Sequence, residues 1–193
     1  MSVSQKVLVL GLGASGRTAA RFYASRGFEV LAADTRPQPL KLDELQEEIT
    51  NLRFLGGAVS HETVAEVSEV MISPGLSPEY SAFAPAVKEA QQRGIPVVGE
   101  IELFARELKK LKAETGYAPK IIGITGTNGK TTTTMLSTAI IAEAGKSVVA
   151  AGNVGPNALG ELEKHRRAGT LPDFWVLELS SFQLETTESL YCD

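Results

Sequence analysis

The sequence predicts an α/β protein built as two successive units, each a mostly parallel sheet flanked by helices. Three observations lead there. Apolar runs alternate with amphipathic stretches along the chain, the pattern of βαβ units. A glycine-rich turn, Gly11-Leu12-Gly13-Ala14-Ser15-Gly16, lies between the first apolar run and the first amphipathic stretch. A second, Gly126-Thr127-Asn128-Gly129-Lys130-Thr131, repeats that placement further on.

In the first unit, Lys6 to Leu10 reads as a buried strand and Ser15 to Ser25 as the helix that follows. Glu29 to Asp34 is a second strand, and Leu52 to Leu55 a weaker third. Val70 to Ser73 is another, ended by Pro74-Gly75. A helix is expected from about Ser81 to Gln92, with Gly94 suited to its C-terminal cap. Pro96 to Gly99 closes a first domain of residues 1–99. Residues 100–119 read as a helix and linker: Glu100 to Lys112 carries Ile101, Leu103, Phe104, Leu108 and Leu111 for one apolar face. Its Lys109, Lys110 and Lys112 form a solvated face near a helix C-terminus, where positive charge is favourable. Residues 120–193 form a second domain, with strands at Ile121 to Thr125, Ser147 to Ala151 and Phe174 to Leu179. Helices are expected over Lys130 to Ala144 and Leu159 to Arg167. Three strands are few for a nucleotide-binding sheet, so this domain reads as incomplete.

The composition is that of an ordinary soluble globular protein. With 19 Lys and Arg against 23 Asp and Glu, the formal net charge is −4, which argues against a nucleic-acid partner. Any bound anion must therefore be held by local geometry. The apolar run Val7 to Leu10 is too short to span a membrane and is followed by glycines and Arg17, not a cleavage site. No membrane partner is expected. Cys192 is the only cysteine, which excludes an intrachain disulfide and fits a cytoplasmic location. The histidines, His61 and His165, lack neighbours at metal-ligand spacing.

Gly11 to Gly16 fits G-x-G-x-x-G, the turn that lets backbone N–H groups approach a diphosphate at a helix N-terminus. Asp34 ends the next strand, where an acidic residue contacts a ribose hydroxyl in dinucleotide sites. Taken alone, these two features say NAD. The cluster Asp34-Thr35-Arg36 adds a hydroxyl and a cation beside the diphosphate position.

The second loop is a phosphate-binding loop by mechanism. Backbone amides cradle phosphates, Lys130 adds charge, and Thr131 is placed to ligate Mg²⁺. It departs from the general G-x-x-x-x-G-K-T spacing, because Ile124 stands five residues before Gly129. In Trp175-Val176-Leu177-Glu178-Leu179, Glu178 puts a carboxylate within an apolar strand, where Mg²⁺ beside phosphates would compensate its charge. Gly152-Asn153-Val154-Gly155 follows the preceding strand and is expected along the same sheet edge.

These motifs together resemble the Mur ligase family. Gly126 to Thr131 is similar to that family's shortened ATP loop. Glu178-Leu179-Ser180-Ser181-Phe182-Gln183-Leu184-Glu185 resembles the motif of its D-glutamate-adding members. The resemblance covers essentially the whole chain and implies a Rossmann-like first domain that binds the UDP part of a substrate, not NAD. By position it implies that Gly13, Ala14, Ser15, Asp34, Thr35, Arg36 and Gly75 hold uridine diphosphate, with Asn153 reaching the substrate from the second domain and Ser180 and Gln183 lining the substrate channel. Gly126, Thr127, Asn128, Gly129, Lys130, Thr131 and Thr132 would bind ATP, and Thr131 and Glu178 would hold Mg²⁺. Lys130 and Glu178 would be the catalytic pair.

The activity implied is ATP-dependent addition of D-glutamate to UDP-N-acetylmuramoyl-L-alanine through an acyl phosphate, in peptidoglycan synthesis. Enzymes of the family continue well beyond the position of Asp193, with a metal-binding histidine, a carbamylated lysine and most of the D-glutamate site in that part. The chain by itself is therefore expected not to complete the ligation. Two other readings stand beside this one: an NAD-dependent oxidoreductase, and a nucleotide-binding module without enzymatic activity.

Overall fold

The computed structural model describes residues 5–193. The chain divides into two compact units, one running to Glu100 and the other from Ile101 to Asp193.

The first unit is a five-stranded, wholly parallel sheet. Its strands are β1 (Lys6–Leu10), β2 (Glu29–Asp34), β3 (Leu52–Gly56), β4 (Glu69–Ile72) and β5 (Val97–Val98), in the order β3-β2-β1-β4-β5. The helices are α1 (Ala14–Ala24), α2 (Leu42–Glu48), α3 (His61–Ala65) and α4 (Ala84–Gln92). Parallel strands need crossover helices, and those helices cover a sheet whose central strands are apolar along most of their length. Thus Val7, Leu8, Val9 and Leu10 are all buried in succession, without the alternation of a half-exposed strand. Helix α1 packs against β1, β2 and β4. A core cluster joins Leu8, Leu10, Leu31, Ala33, Val70 and Ile72 of the sheet to Val64 of α3 and Ala86, Val87 and Ala90 of α4.

Strand order reverses direction at β1. The chain goes out through β2 to β3 on one side, then returns to β4 and β5 on the other. That reversal opens a crevice at the carboxyl ends of β1 and β4, the usual ligand position in such sheets.

The second unit has a three-stranded parallel sheet, β6 (Lys120–Ile124), β7 (Val148–Gly152) and β8 (Phe174–Glu178), ordered β6-β8-β7. Its helices are α5 (Glu100–Thr115), α6 (Lys130–Glu143), α7 (Ala158–Ala168) and α8 (Ser181–Leu184). Helix α6 packs on all three strands, and α7 on β7. Helix α5 runs three residues beyond Lys112, the end expected from the sequence, and belongs to this unit apart from its first residue.

The reason is a buried aromatic junction. Trp175 of β8 is fully buried, with the Phe104 ring edge-on at 5.1 Å. Its indole Nε1 donates to the Tyr117 hydroxyl at 3.0 Å, and that hydroxyl donates to the Pro172 carbonyl at 2.7 Å. The segment read as a linker is thus pinned to the sheet. Burial pushes the Tyr117 phenol up to about 12, so it stays a protonated donor.

Helix α4 starts at Ala84 and not Ser81, because Phe83 is its N-cap and Pro85 follows in the first turn, where a missing N–H costs nothing. Neither α2 nor α8 was expected. Helix α7 extends one residue past each end of the expected Leu159 to Arg167, because the Asn157 side chain accepts the Gly160 N–H at 2.9 Å and Gly169 closes the other end at φ 66°. Among the described residues, no helix is long and apolar enough to cross a membrane.

Truncating Phe104 to alanine removes the ring that meets Trp175 and should destabilise the second unit by about 3 kcal/mol or more. Trp175 is the only tryptophan, so urea unfolding followed by its fluorescence reports on this unit alone. A change below about 0.5 kcal/mol would show that α5 is not integral to it.

Candidate functional site

In the first unit, a cavity of about 310 Å³ opens at the carboxyl ends of β1, β2 and β4. It is lined by Gly13, Ala14, Ser15, Asp34, Thr35, Arg36 and Gly75, the first-unit residues singled out from the sequence. Gly11, Ser73, Pro74, Leu76 and Phe83 complete it.

The glycines there divide by cause. Gly16 is required by packing, because a Cβ at that position would lie 1.8 Å from the Gly11 carbonyl oxygen. It lets α1 press against the loop. Gly13 and Gly75 have no such reason: a Cβ added at either meets nothing within 4 Å. Gly13 has φ −69°, which any residue adopts. Both leave open space in the cavity wall, as a closely approaching ligand needs. Helix α1 begins there with neither a side-chain cap nor an acidic residue in its first turn, so the positive end of its dipole is uncompensated.

Asp34 is 3% exposed and meets four donors. Oδ2 accepts the Leu12 N–H at 2.7 Å and Arg36 Nη2 at 2.7 Å; Oδ1 accepts the Arg36 N–H at 3.0 Å and Nε at 2.8 Å. The Arg36 guanidinium, helped by these backbone N–H groups, holds the carboxyl down at about 2 against the opposing effect of burial. A carboxylate offers about four lone-pair sites, so Asp34 is saturated by its own chain. Its work is to hold the loop and aim Arg36, whose side chain remains half exposed at the cavity.

The second unit assembles the other motifs at the carboxyl edge of its sheet. Glu178 ends the central strand β8, in register with Ile124 of β6 and Gly152 of β7. The loop Gly126 to Gly129 therefore emerges on one side of Glu178 and Asn153 on the other. Gly129 caps α6 in the left-handed conformation at φ 79°, a turn that favours glycine. Lys130, Thr131 and Thr132 form the first turn, again without a side-chain cap or an acidic residue. The Lys130 ammonium folds back over the loop, donating to the Gly126 carbonyl at 2.7 Å and to that of Thr127 at 3.4 Å.

Glu178 is 1% exposed. Asn153 Nδ2 donates to its Oε1 at 3.2 Å, while Oε2 is buried with no hydrogen-bond partner. A half-satisfied buried carboxylate is costly unless a cation completes it. Its place at the strand end beside the second glycine-rich loop would suit a divalent cation such as Mg²⁺. Among the described residues there is no cluster of three or more His, Cys, Asp and Glu side chains to form a metal cage.

Ser180 and Gln183 act on each other. The Ser180 hydroxyl accepts the Gln183 N–H at 3.3 Å, and Gln183 Oε1 accepts the Ser180 N–H at 2.9 Å, a capping box that starts α8. Gln183 is buried, so both residues shape the turn after Glu178. Sequence reasoning passed over Ser73 and Arg17, which brace the first loop. Ser73 was read as the end of a strand and the start of a turn, and Arg17 only as the residue after Gly16.

Residues 5–99 match the family described as "Mur ligase MurD-like, N-terminal domain", and residues 124–192 match "Mur ligase middle domain". The chain belongs to the Mur ligase family. It is 54% identical over 184 residues to a UDP-N-acetylmuramoylalanine–D-glutamate ligase of Cupriavidus pinatubonensis, covering 95% of this chain and 37% of the relative. A protein of the same name from Ralstonia nicotianae is 52% identical over 187 residues, with 97% and 38% covered. The chain thus spans little more than a third of these relatives' length. Among solved structures, a pseudomurein peptide ligase type C from Methanothermus fervidus is 21% identical with a TM-score of 0.48, over 92% of this chain and 33% of that one.

The Asp34 network predicts a pH dependence. Its folded value, about 2, lies below the ordinary 3.8, so the unfolded chain takes up the proton first. The contribution to stability is complete above about pH 4 and is lost as pH falls towards 2. In Asp34→Asn, melting temperature followed by circular dichroism should be lower at pH 6 and fall less steeply between pH 4 and 2. Equal slopes in the two proteins would contradict the assignment.

Proposed function

We propose that this chain is part of an ATP-dependent ligase that adds D-glutamate to UDP-N-acetylmuramoyl-L-alanine in the cytoplasm, in the making of peptidoglycan precursor. In this reading residues 1–99 are the domain for the UDP substrate, 100–119 the connecting helix and linker, and 120–193 part of the ATP domain. The observation that carries it is the buried, half-satisfied carboxylate of Glu178 beside a glycine-rich loop with Lys130 and Thr131. An NAD-dependent oxidoreductase has no use for that arrangement, and a nucleotide-binding module without activity needs only one of the two glycine-rich sites. The names of relatives about half identical to this chain support the same reading.

The reaction joins a carboxylate to an amine. The L-alanyl carboxylate takes the γ-phosphoryl group of ATP, giving an acyl phosphate and ADP. The D-glutamate amine then displaces phosphate through a tetrahedral intermediate. Little of this is covalent chemistry by the protein, whose work is positioning and charge neutralisation.

The first cavity holds the nucleotide end of the substrate. Amides at the start of α1 and the Arg36 guanidinium meet the diphosphate, and the open positions at Gly13 and Gly75 give it room. In the second unit, amides of Gly126 to Thr132 bind the ATP phosphates. Lys130 exchanges its loop carbonyls for phosphate oxygens. Thr131 and Glu178 hold Mg²⁺, which supplies charge compensation on the phosphates when bound. Asn153 steadies the Glu178 carboxylate from the neighbouring strand end, next to where the substrate would reach this domain.

Replacing Glu178 with glutamine separates ligand from architecture. Glutamine keeps an oxygen for Asn153 and removes the uncompensated charge. Glu178→Gln should therefore raise the stability of the ligand-free chain by about 1–3 kcal/mol. It should also remove most of the Mg²⁺ dependence of ATP binding in calorimetric titrations with and without the metal. Loss of stability, or unchanged Mg²⁺ dependence, would argue against a metal ligand at this position.

A further inference from the structure

The first glycine-rich loop is held by side chains from three different elements, each bound to its backbone. The Gly11 N–H donates to the Ala33 carbonyl at 2.7 Å. The Gly11 carbonyl accepts from the Ser73 hydroxyl at 2.7 Å. The Leu12 N–H donates to Asp34 Oδ2 at 2.7 Å, and the Leu12 carbonyl accepts from Arg17 Nη1 at 2.8 Å. Every polar backbone group of Gly11 and Leu12 is therefore fixed before the chain turns into α1. Within this set Ser73 has a singular place. Its own N–H donates to the Leu10 carbonyl at 3.0 Å, continuing the β1–β4 pairing, while its side chain reaches across to the loop. Its Oγ would lie 3.2 Å from a Cβ at Gly11 and 2.9 Å from one at Gly16, so it sits where the first and last glycines of the motif meet. It is 7% exposed and lines the cavity edge.

We propose that Ser73 is a positioning residue for nucleotide binding: its hydroxyl sets the Gly11 carbonyl, and through it the direction in which the amides at the start of α1 meet a diphosphate. The inference rests on the reading of the cavity as a nucleoside-diphosphate site. Amides already aimed at an anion need no reorganisation when it arrives, and that saving appears as affinity for the diphosphate itself. Because Ser73 acts through backbone amides that meet phosphate, its effect falls on the phosphate contacts.

Threonine and valine at this position share a shape and differ in the hydroxyl, which makes them the decisive pair. UDP and UMP are the probes, titrated into the full chain by calorimetry, with thermal melts as a check on folding. In Ser73→Thr, UDP should bind as in the unaltered chain. In Ser73→Val, and in Ser73→Ala, UDP affinity should fall about fivefold or more, the usual weight of one such hydrogen bond. The loss should be larger for UDP than for UMP. Equal UDP affinity in the threonine and valine variants would overturn the proposal, as would equal losses for UDP and UMP, which general loosening of the unit produces. Failure of the unaltered chain to bind UDP would remove the reading of the cavity on which the inference stands, and the proposal with it.

Discussion

Parallel pairing on both sides of one central strand is the constraint on which each unit depends. Strand β1 lies between β2 and β4, and β8 between β6 and β7. Parallel neighbours end at the same edge, so residues distant in sequence are delivered together where the strands stop. In the first unit that edge collects Gly11, Asp34 and Ser73. In the second it collects Ile124, Glu178 and Gly152 on one register line. The chemistry follows from the pairing: a loop after the strand on one side, a polar residue at the end of its neighbour, and a helix whose N-terminus faces the gap.

The two edges use this arrangement differently. At the first, the acidic residue is fully engaged within the protein, and its carboxylate organises a loop and an arginine. At the second, the acidic residue is left half satisfied and buried. A saturated carboxylate serves the architecture, whereas an unsatisfied one stores a demand for a cation. The same residue type at the end of a parallel strand is thus satisfied within the protein in one unit and left half satisfied in the other.

Much of this was legible in the sequence, for physical reasons. Apolar runs that form doubly covered parallel strands have few alternatives, so β1, β2, β4, β6, β7 and β8 stood out. Both glycine-rich loops were visible because they need special residues at fixed offsets. Helix α2 was not, since Leu42 and Leu45 are its only buried residues and it starts from Lys41 in a left-handed conformation. Helix α8 was missed although Ser180 and Gln183 have the offset of a capping box; they were read as lining a substrate channel. The engagement of Asp34 with Leu12 and the reach of Ser73 to Gly11 were beyond sequence reasoning, because both bonds span 22 or more residues. They exist only once β1, β2 and β4 are side by side.

In the proposed function, the first cavity takes the nucleoside diphosphate of a peptidoglycan precursor and not a dinucleotide. The most direct test is a calorimetric titration of the chain with UDP-N-acetylmuramoyl-L-alanine and, separately, with NAD, alongside melts that establish folding. The account predicts saturable binding of the UDP compound and none of NAD. Binding of NAD without binding of the UDP compound would contradict it and return the first glycine-rich loop to the oxidoreductase reading.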